Sequence, residues 1–374
     1  MNLSYWEYET WMRHIDFAIV GSGIVGLSCA LSLRKKHPKS KIVVFERGML
    51  PSGASTKNAG FACFGSASEL LDDLKTHSEA EVVDLVQKRL AGLRLLRDTL
   101  GDPALDYQEL GGYEVFRKED SDLFRECEAK IPYLNELLKE VFLNKKEVFS
   151  VQNDPFSFKN VQNRLIFNRY EGQLDTGKMM KSLLQKCIQE DILILNTTEV
   201  TSFQTTNLGV EVQLNDSVEI TTQHLFITTN GFAKQLLNEE VAPARAQVLI
   251  TDPIPNLQIK GTFHLEKGYY YFRNIHNRIL LGGGRNLDFE GETTTTMETT
   301  QRIQDELERL LHTTILPNTA FKISSRWSGI MGVGAQKKPI VKELEPRVYC
   351  GVRLGGMGVA LGSSIGAELS SFTN

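Results

Sequence analysis

This 374-residue sequence has little that would mark it for a membrane, for nucleic acid or for a disulfide framework. Its five cysteines, Cys29, Cys63, Cys127, Cys187 and Cys350, are odd in number, far apart and without a CxxC pair. That pattern argues against a disulfide ladder or zinc ribbon and predicts small buried thiols. The seven histidines form no HExxH and no cluster with cysteine, so no metal site is expected. No apolar run reaches the ~18 residues that a membrane helix needs. Met1 to Glu7 lack the basic start and apolar stretch of an export signal. A cytoplasmic protein with no membrane span is therefore expected. A net charge of −4 provides no basic surface for nucleic acid.

What is present is an ordinary globular composition, 41% hydrophobic and 24% charged, on a chain long enough for two domains. Ser4-Tyr5-Trp6-Glu7 reads as a capping box that opens a short helix through Met12. Trp6 and Trp11 are expected to pack this helix onto the body. Asp16 to Val20 is a buried strand, Ile24 to Lys36 a helix, and Lys41 to Phe45 a second strand. Together they make a minimal βαβ unit. Helical periodicity covers Leu70–Leu100 and Leu123–Val141, then Lys178–Ile188. Alternating strands follow at Glu199–Phe203 and Val210–Leu214, and a buried strand at Leu225–Thr229. Beyond Gln247 strands dominate, with one helix at Arg302–Leu311. Signals for βαβ units and for antiparallel strands alternate along the chain, so the two domains are expected to interleave.

The strongest local signal is Gly21-Ser22-Gly23-Ile24-Val25-Gly26, between the first strand and the first helix. The first glycine permits the tight turn, the second lets the main chain approach a pyrophosphate, and the third lets helix and strand pack closely. The helix N-terminus offers free N–H groups and a positive dipole end to the phosphates. Glu46 ends the second strand 20 residues after Gly26, where a carboxylate accepts from ribose hydroxyls and repels a 2′-phosphate. The motif alone does not separate FAD from NAD.

Further segments run in the order found in the D-amino-acid-oxidase-like family of FAD oxidoreductases, which includes glycine oxidase, sarcosine oxidases and gamma-glutamylputrescine oxidase. After Glu46-Arg47, Ser52–Gly60 resembles the family's GAS-x-(R/K)-N-x-G segment along the flavin, with Ser55, Thr56, Lys57, Asn58 and Gly60 at the cofactor. Lys57 stands for the commoner arginine. Gly172–Thr176 resembles a G-x-(L/V)-D-P turn, and Val200 falls where the family contacts adenine. Thr229, Asn230 and Gly231 resemble the strand end near the cofactor. Pro243–Gln247 is similar to P-x-R-G-Q, Tyr269–Arg273 to Y-x-x-P-R, and Arg326–Ile330 to R-x-W-x-G-(I/L). Gly356-Met357-Gly358-Val359-Ala360 resembles the glycine loop beside the flavin pyrimidine, with Met357 in place of its histidine.

The resemblance implies an α/β fold in which a Rossmann-like FAD-binding domain is interleaved with an α+β substrate domain carrying a large antiparallel sheet. Residues 14–90, 160–232 and 326–374 would form the first and residues 91–159 and 233–325 the second, with 1–13 as a helical extension. It also implies non-covalent FAD, a small amine or amino acid as substrate, and oxygen or another electron acceptor. Hydride would pass from the α-carbon to flavin N5, with backbone N–H groups of Gly356 to Val359 stabilising charge at the N1–C2=O end. The family's carboxylate-clamping arginine falls at Met331, so the clamp is missing there. Arg326, Arg353 and Arg273 are the alternative cations, Arg326 standing evenly between the cavity and a structural salt bridge. Arg273 leans toward structure, and Tyr270 is expected to face the substrate, with packing as its other reading. Two further readings stay open: a 2-hydroxy-acid dehydrogenase using a non-oxygen acceptor, and a non-catalytic flavin-binding sensor or scaffold.

Overall fold

The computed structural model describes residues 3–143 and 147–373; Met1, Asn2 and Asn374, at the ends of the predicted segments, lie outside them. The chain opens as its capping box predicts. Ser4 N–H donates to the Glu7 carboxylate at 2.8 Å, and the Ser4 hydroxyl accepts from Glu7 N–H. Helix α1 (Tyr5–Glu7) runs into a turn of π-helix, Tyr8–Met12. Trp6 and Trp11 do not pack inward as expected; they are 72% and 46% exposed. Met12 takes the inward place instead, and Lys41 Nζ fastens the segment by donating to the carbonyls of Thr10 and Arg13.

The elements then follow in chain order. They are β1 (Ile15–Val20), α2 (Ile24–Lys36), β2 (Ile42–Phe45), β3 (Phe61–Ala62), α3 (Ala67–Asp73), α4 (Glu79–Leu100) and α5 (Asp102–Leu105). Next come β4 (Gly112–Val115), α6 (Ser121–Leu138), β5 (Phe149–Asn153), β6 (Arg164–Asn168), β7 (Gly172–Gln173), α7 (Thr176–Gln189) and β8 (Leu193–Leu195). The strands β9 (Val200–Thr206), β10 (Gly209–Leu214), β11 (Val218–Ile227), β12 (Ala242–Thr251), β13 (Thr262–Leu265), β14 (Tyr270–Ile275) and β15 (Arg278–Gly283) lead to α8 (Gln301–Leu310). The chain ends with β16 (Ile323–Val333), β17 (Ile340–Glu345), β18 (Val348–Val352) and α9 (Gly358–Ser370).

Among the described residues two eight-stranded sheets organise these elements. The first has the order β17-β18-β11-β1-β2-β8, with the β9–β10 hairpin attached to β11. Strand β1 lies parallel to both β2 and β11, with Val20 beside Phe45 and Ile227. Its apolar run from Phe17 to Val20 suits a strand covered on both faces. Helices α2, α7 and α9 cover one face through Leu27, Leu33, Met179, Leu183 and Ile365. Helix α9 comes close to α2 because of Gly366, where a Cβ would sit 2.6 Å from the main chain of Val25 and Cys29.

The second sheet has the order β16-β12-β15-β14-β13-β4-β6-β5 and is antiparallel except for the β4/β13 pair. One face packs under α8 through Leu249, Tyr270, Phe272, Leu281 and Leu307. The other turns toward the first sheet, where Val248, Leu280, Tyr271 and Trp327 meet Ala59 and Phe61. The short β3/β7 ribbon stands between the sheets. The chain thus alternates between sheets as its mixed strand signals predict. Two boundaries differ: β6, inside the predicted 160–232 segment, and most of β16, inside 326–374, belong to the second sheet. Their partners β5 and β12 complete antiparallel ladders there. All five cysteines are buried and free. Among the described residues no helix is long and apolar enough to cross a membrane.

Candidate cofactor and substrate site

An open cleft lies at the carboxyl ends of β1, β2 and β11, where doubly wound sheets bind ligands. Gly21, Gly23, Glu46, Arg47, Ser55, Val200, Thr229 and Asn230 line it, all residues picked out by the sequence. Gly21 turns at φ +102°, in the left-handed half of the map, and a Cβ on Gly26 would fall 2.0 Å from the Gly21 carbonyl. The turn therefore requires glycine. Ser55 Oγ accepts from Ile24 N–H at 3.0 Å, tying the start of α2 to the 54–56 turn. The buried Glu46 carboxylate accepts from Ser22 N–H and Oγ, from Gly48 N–H and from Ser52 Oγ. Two of these donors are hydroxyls, which rotate to make room for ribose hydroxyls. Arg47 lies 3.8 Å over the Phe232 ring at the rim. Thr229 Oγ1 is buried without a partner, a polar atom that a bound group would satisfy.

A second strip of free main chain lies at the start of α9. A Cβ on Gly355 or Gly358 would meet nothing within 4 Å, and one on Gly356 only Met331 Sδ at 3.8 Å. The first N–H groups of α9, Gly358 to Ala360, carry the unpaired donors of a helix N-terminus. Asn230 Oδ1 holds this loop by accepting from Arg353 N–H and Leu354 N–H at 3.0 and 3.2 Å. Across from it the second sheet presents Ala244 paired with Met331, Ala246 paired with Gly329, and the Tyr271 ring lying over Gly282. Cys63 closes one side, with Sγ 3.7 Å from Met357 Sδ.

Deeper on this face lies a buried polar group. The Glu171 carboxylate accepts from Thr262 Oγ1 at 3.1 Å and pairs with His264 Nε2 at 3.0 Å. Burial alone would lower the His264 pKa, but the Glu171 charge and hydrogen bond outweigh it and raise it to about 9. The imidazole is thus protonated at neutral pH. Nearby, Glu114 accepts from Ser66 Oγ and from Ser68 N–H and Oγ. Burial raises its pKa to about 7 against those hydrogen bonds.

The sequence pattern of the DAO family, described as FAD dependent oxidoreductase, matches residues 16–371. The chain belongs to this family. The probable oxidoreductase OrdL of Haemophilus influenzae is 21% identical over 94% of this chain and 81% of its own length. L-proline dehydrogenase from P. horikoshii superposes with a TM-score of 0.75 at 17% identity, covering 96% of this chain and 93% of its own. Glycine oxidase from Geobacillus kaustophilus gives 0.73 at 19%, covering 97% and 96%. At such identities these structures establish the fold. As a DAO-family oxidoreductase the chain uses FAD, and the cleft fits it: the glycine turn, Glu46 and the orphaned Thr229 hydroxyl are where an adenosine diphosphate moiety would lie.

Several residues proposed from the sequence stand elsewhere in the DAO fold. Tyr270 faces the α8 side, 1% exposed among Phe263, Phe272 and Leu307. It is Tyr271 that faces the cofactor side, because β14 alternates in the opposite phase. Arg326 also points to α8, bonding Gln304 Oε1 at 2.7 Å and Glu308. Arg353 turns back from the glycine loop and donates to the carbonyls of Lys338 and Glu240. Neither is a catalytic cation. Arg273 is buried at the seam beyond Tyr271, beside Gly60, rather than in a substrate pocket. Its Nε finds no partner, and burial lowers its pKa to about 10 despite Asp175 and Asp106. Asp106, Asp175 and His276 bring ligand atoms within 4.8 Å of one another, a grouping their sequence separation hid, although Lys178 already donates to Asp106.

The remaining cofactor positions act as supports. Asn58 braces its loop by donating to the Ala54 and Ser55 carbonyls and accepting from Gly60 N–H and Thr176 Oγ1. Thr56 donates to the Pro51 carbonyl. The Lys57 carbonyl accepts from Trp327 Nε1 at 2.9 Å, joining loop to sheet. Gly231 packs under Met331. His264 and Glu171 were missed because they lie 93 residues apart in ordinary runs, and Tyr271 because strand alternation leaves the phase of its tyrosine run open.

Proposed function

We propose that this DAO-family protein oxidises the C–N bond of a small amine or amino acid to an imine, which water then hydrolyses. The observation that carries the reading is the open main-chain strip at Gly355–Gly358 facing Met331, Ala244 and Ala246 across a narrow, largely apolar face. FAD, when bound non-covalently, supplies the hydride acceptor. The residues of the chain orient and shield. Gly358 and Val359 N–H groups would stabilise negative charge at the cofactor edge. Met331, Met357 and Cys63 keep water from the reacting carbon. Tyr271, whose burial raises its pKa to about 12, stays neutral as a hydrogen-bond donor. The small residues leave room for a short substrate, in keeping with the names L-proline dehydrogenase and glycine oxidase borne by proteins of the same fold. Oxygen or another acceptor would take up the electrons.

The test is anaerobic bleaching of the flavin colour across amines, N-methyl amino acids and 2-hydroxy acids. Amines or amino acids should bleach it. Bleaching by hydroxy acids alone would overturn the reading. Acid precipitation should leave a colourless pellet.

A further inference from the structure

The buried His264–Glu171 pair lies on the face of the second sheet turned toward the first, without a part in hydride transfer. Strand register places it. His264 on β13 stands opposite Tyr271 on β14 and beside Glu114 on β4, so the three share one face. The Glu171 carboxylate comes down over β4 at Gly112, where a Cβ would stand 2.0 Å from Oε2. There it accepts from Thr262 Oγ1 and from His264 Nε2, and its other oxygen accepts from Asn168 Nδ2 at 3.4 Å. A buried carboxylate so committed fixes the imidazole in angle as well as in place.

From His264 the constraint passes through one ring to another. The Phe61 ring stands nearly perpendicular to the imidazole, at 5.3 Å between centroids and 76°. It stands likewise to the Tyr271 ring, at 5.6 Å and 79°. Edge-to-face contacts have a preferred geometry, so each ring limits its neighbour. Phe61 belongs to β3 and pairs with Gln173 of β7, two residues after Glu171, so one short ribbon carries both the carboxylate and the ring. On β15, Gly282 lets the Tyr271 ring lie across the strand; a Cβ there would stand 2.6 Å from the ring. The Tyr271 hydroxyl has no partner among the described residues and is left to donate to a ligand. Glu69 of α3 and Glu114 of β4 are the other acids near the imidazole, and both favour its charged form. The buried Arg89 of α4 donates to the Phe64 carbonyl instead.

We propose that His264 and Glu171 are positioning residues, an ionic latch that acts through Phe61 to aim the Tyr271 hydroxyl at the substrate. The imidazole acts only through its neighbours. Its charge holds it to Glu171, and its ring holds Phe61 in the setting that keeps Tyr271 over Gly282. When the imidazole loses its proton the pair relaxes to an ordinary hydrogen bond, Phe61 gains freedom, and Tyr271 loses its aim. What Tyr271 does for the substrate rests on the amine reading; the coupling of the four side chains does not.

The experiment follows the Cζ carbon of Tyr271 by NMR in FAD-loaded protein labelled with carbon-13 at tyrosine Cζ, the signal being assigned by its loss in Y271F. In wild-type protein it should shift with a midpoint of about 9, well below the ionisation of the phenol itself at about 12. E171Q should bring that midpoint below 6.5, the ordinary imidazole value, because burial then acts largely unopposed. H264Q should abolish the shift. F61L should abolish it too, while the His264 ring signals still titrate. A wild-type Tyr271 signal that stays flat through pH 9 overturns the proposal, as does a shift that persists in F61L, which would be the field of the charge alone. On anaerobic mixing with the amine that bleaches the flavin fastest, H264Q and Y271F should each slow bleaching about tenfold, and the double variant should be no slower than either. Losses that multiply also overturn it. If no amine bleaches the flavin, the amine reading fails and the NMR result still decides the latch.

Discussion

In the proposed site, the first sheet offers main chain at its strand ends, whereas the second offers side chains on one face. The cleft beyond β1 is shaped by Gly21, Gly23 and Gly26 and finished by the N–H groups of α2. A Cβ on Gly26 collides with the Gly21 carbonyl and one on Gly23 crowds the Ser55 hydroxyl, so few residues fit. Across the gap the second sheet holds Ala246, Met331 and Tyr271, any of which accepts another side chain without disturbing the ladder. On the proposed reading the first region is therefore fixed in chemistry, while the second could change substrate on the same frame.

The comparison can be broken at three places. The largest effect is expected in the second sheet, at Arg245. This guanidinium is 3% exposed and bonds the buried Glu292 through two nitrogens. Arg245→Met strands that carboxylate, which should cost about 3–5 kcal/mol of stability. Urea unfolding of FAD-loaded protein measures it, and FAD affinity of the fraction still folded should be unchanged. An unaltered urea midpoint would show that the pair is solvated in practice.

Next comes Gly26→Val, which places a branched side chain where the Gly21 carbonyl already lies 2.0 Å away. FAD affinity should fall on the order of 100-fold, from about 3 kcal/mol of overpacking at the turn. Flavin content after gel filtration is the measurement. Yellow protein at full occupancy would mean that the main chain of this turn is more adaptable than its geometry implies.

The smallest effect is a pH dependence confined to the second sheet. The folded pKa of His264 is raised to about 9 from an ordinary 6.5, so the native state holds its proton more tightly. Its stabilisation is complete below about pH 6.5 and lost as pH rises through 9. Glu114, raised to about 7 from 4.5, acts in the same direction at lower pH, destabilising the native state as pH climbs from 4.5 to 7. The melting temperature should therefore drop by a few degrees between pH 6.5 and 9. His264→Gln should flatten that slope while leaving flavin content alone. A slope that survives the substitution would assign it to another group.

The same contrast explains what could be read in advance. Gly21–Gly26, Glu46 and Ser55 were legible because main-chain contact with phosphates imposes residue types at fixed spacing. The interleaved topology was legible from strand signals that alternate between parallel and antiparallel character. Tyr271 was not, since alternation says only that neighbours in Tyr269-Tyr270-Tyr271 differ in face, leaving the phase open. For Arg326 the structure takes the salt-bridge side of the two open readings, and Arg353 turns from the site; the sequence could not decide either, because their partners Glu308 and Glu240 lie 18 and 113 residues away. His264 and Glu171 are 93 residues apart, with no local pattern to join them. Trp6 and Trp11 read as anchors, but Met12 and Lys41 had already taken that task.

The contact of α9 with α2 has a consequence for how the protein is made. Ser28 Oγ bonds Ser363 Oγ across 335 residues of chain, and Gly362 seats against Ile24 at the start of α2. At about 5–20 residues per second, the glycine turn emerges from the ribosome tens of seconds before the helix that covers it. During that interval the nascent chain carries α2 without the helix that packs on it. The face of α2 that carries Val25 and Cys29 thus waits, in the order of synthesis, for a partner made more than 300 residues later.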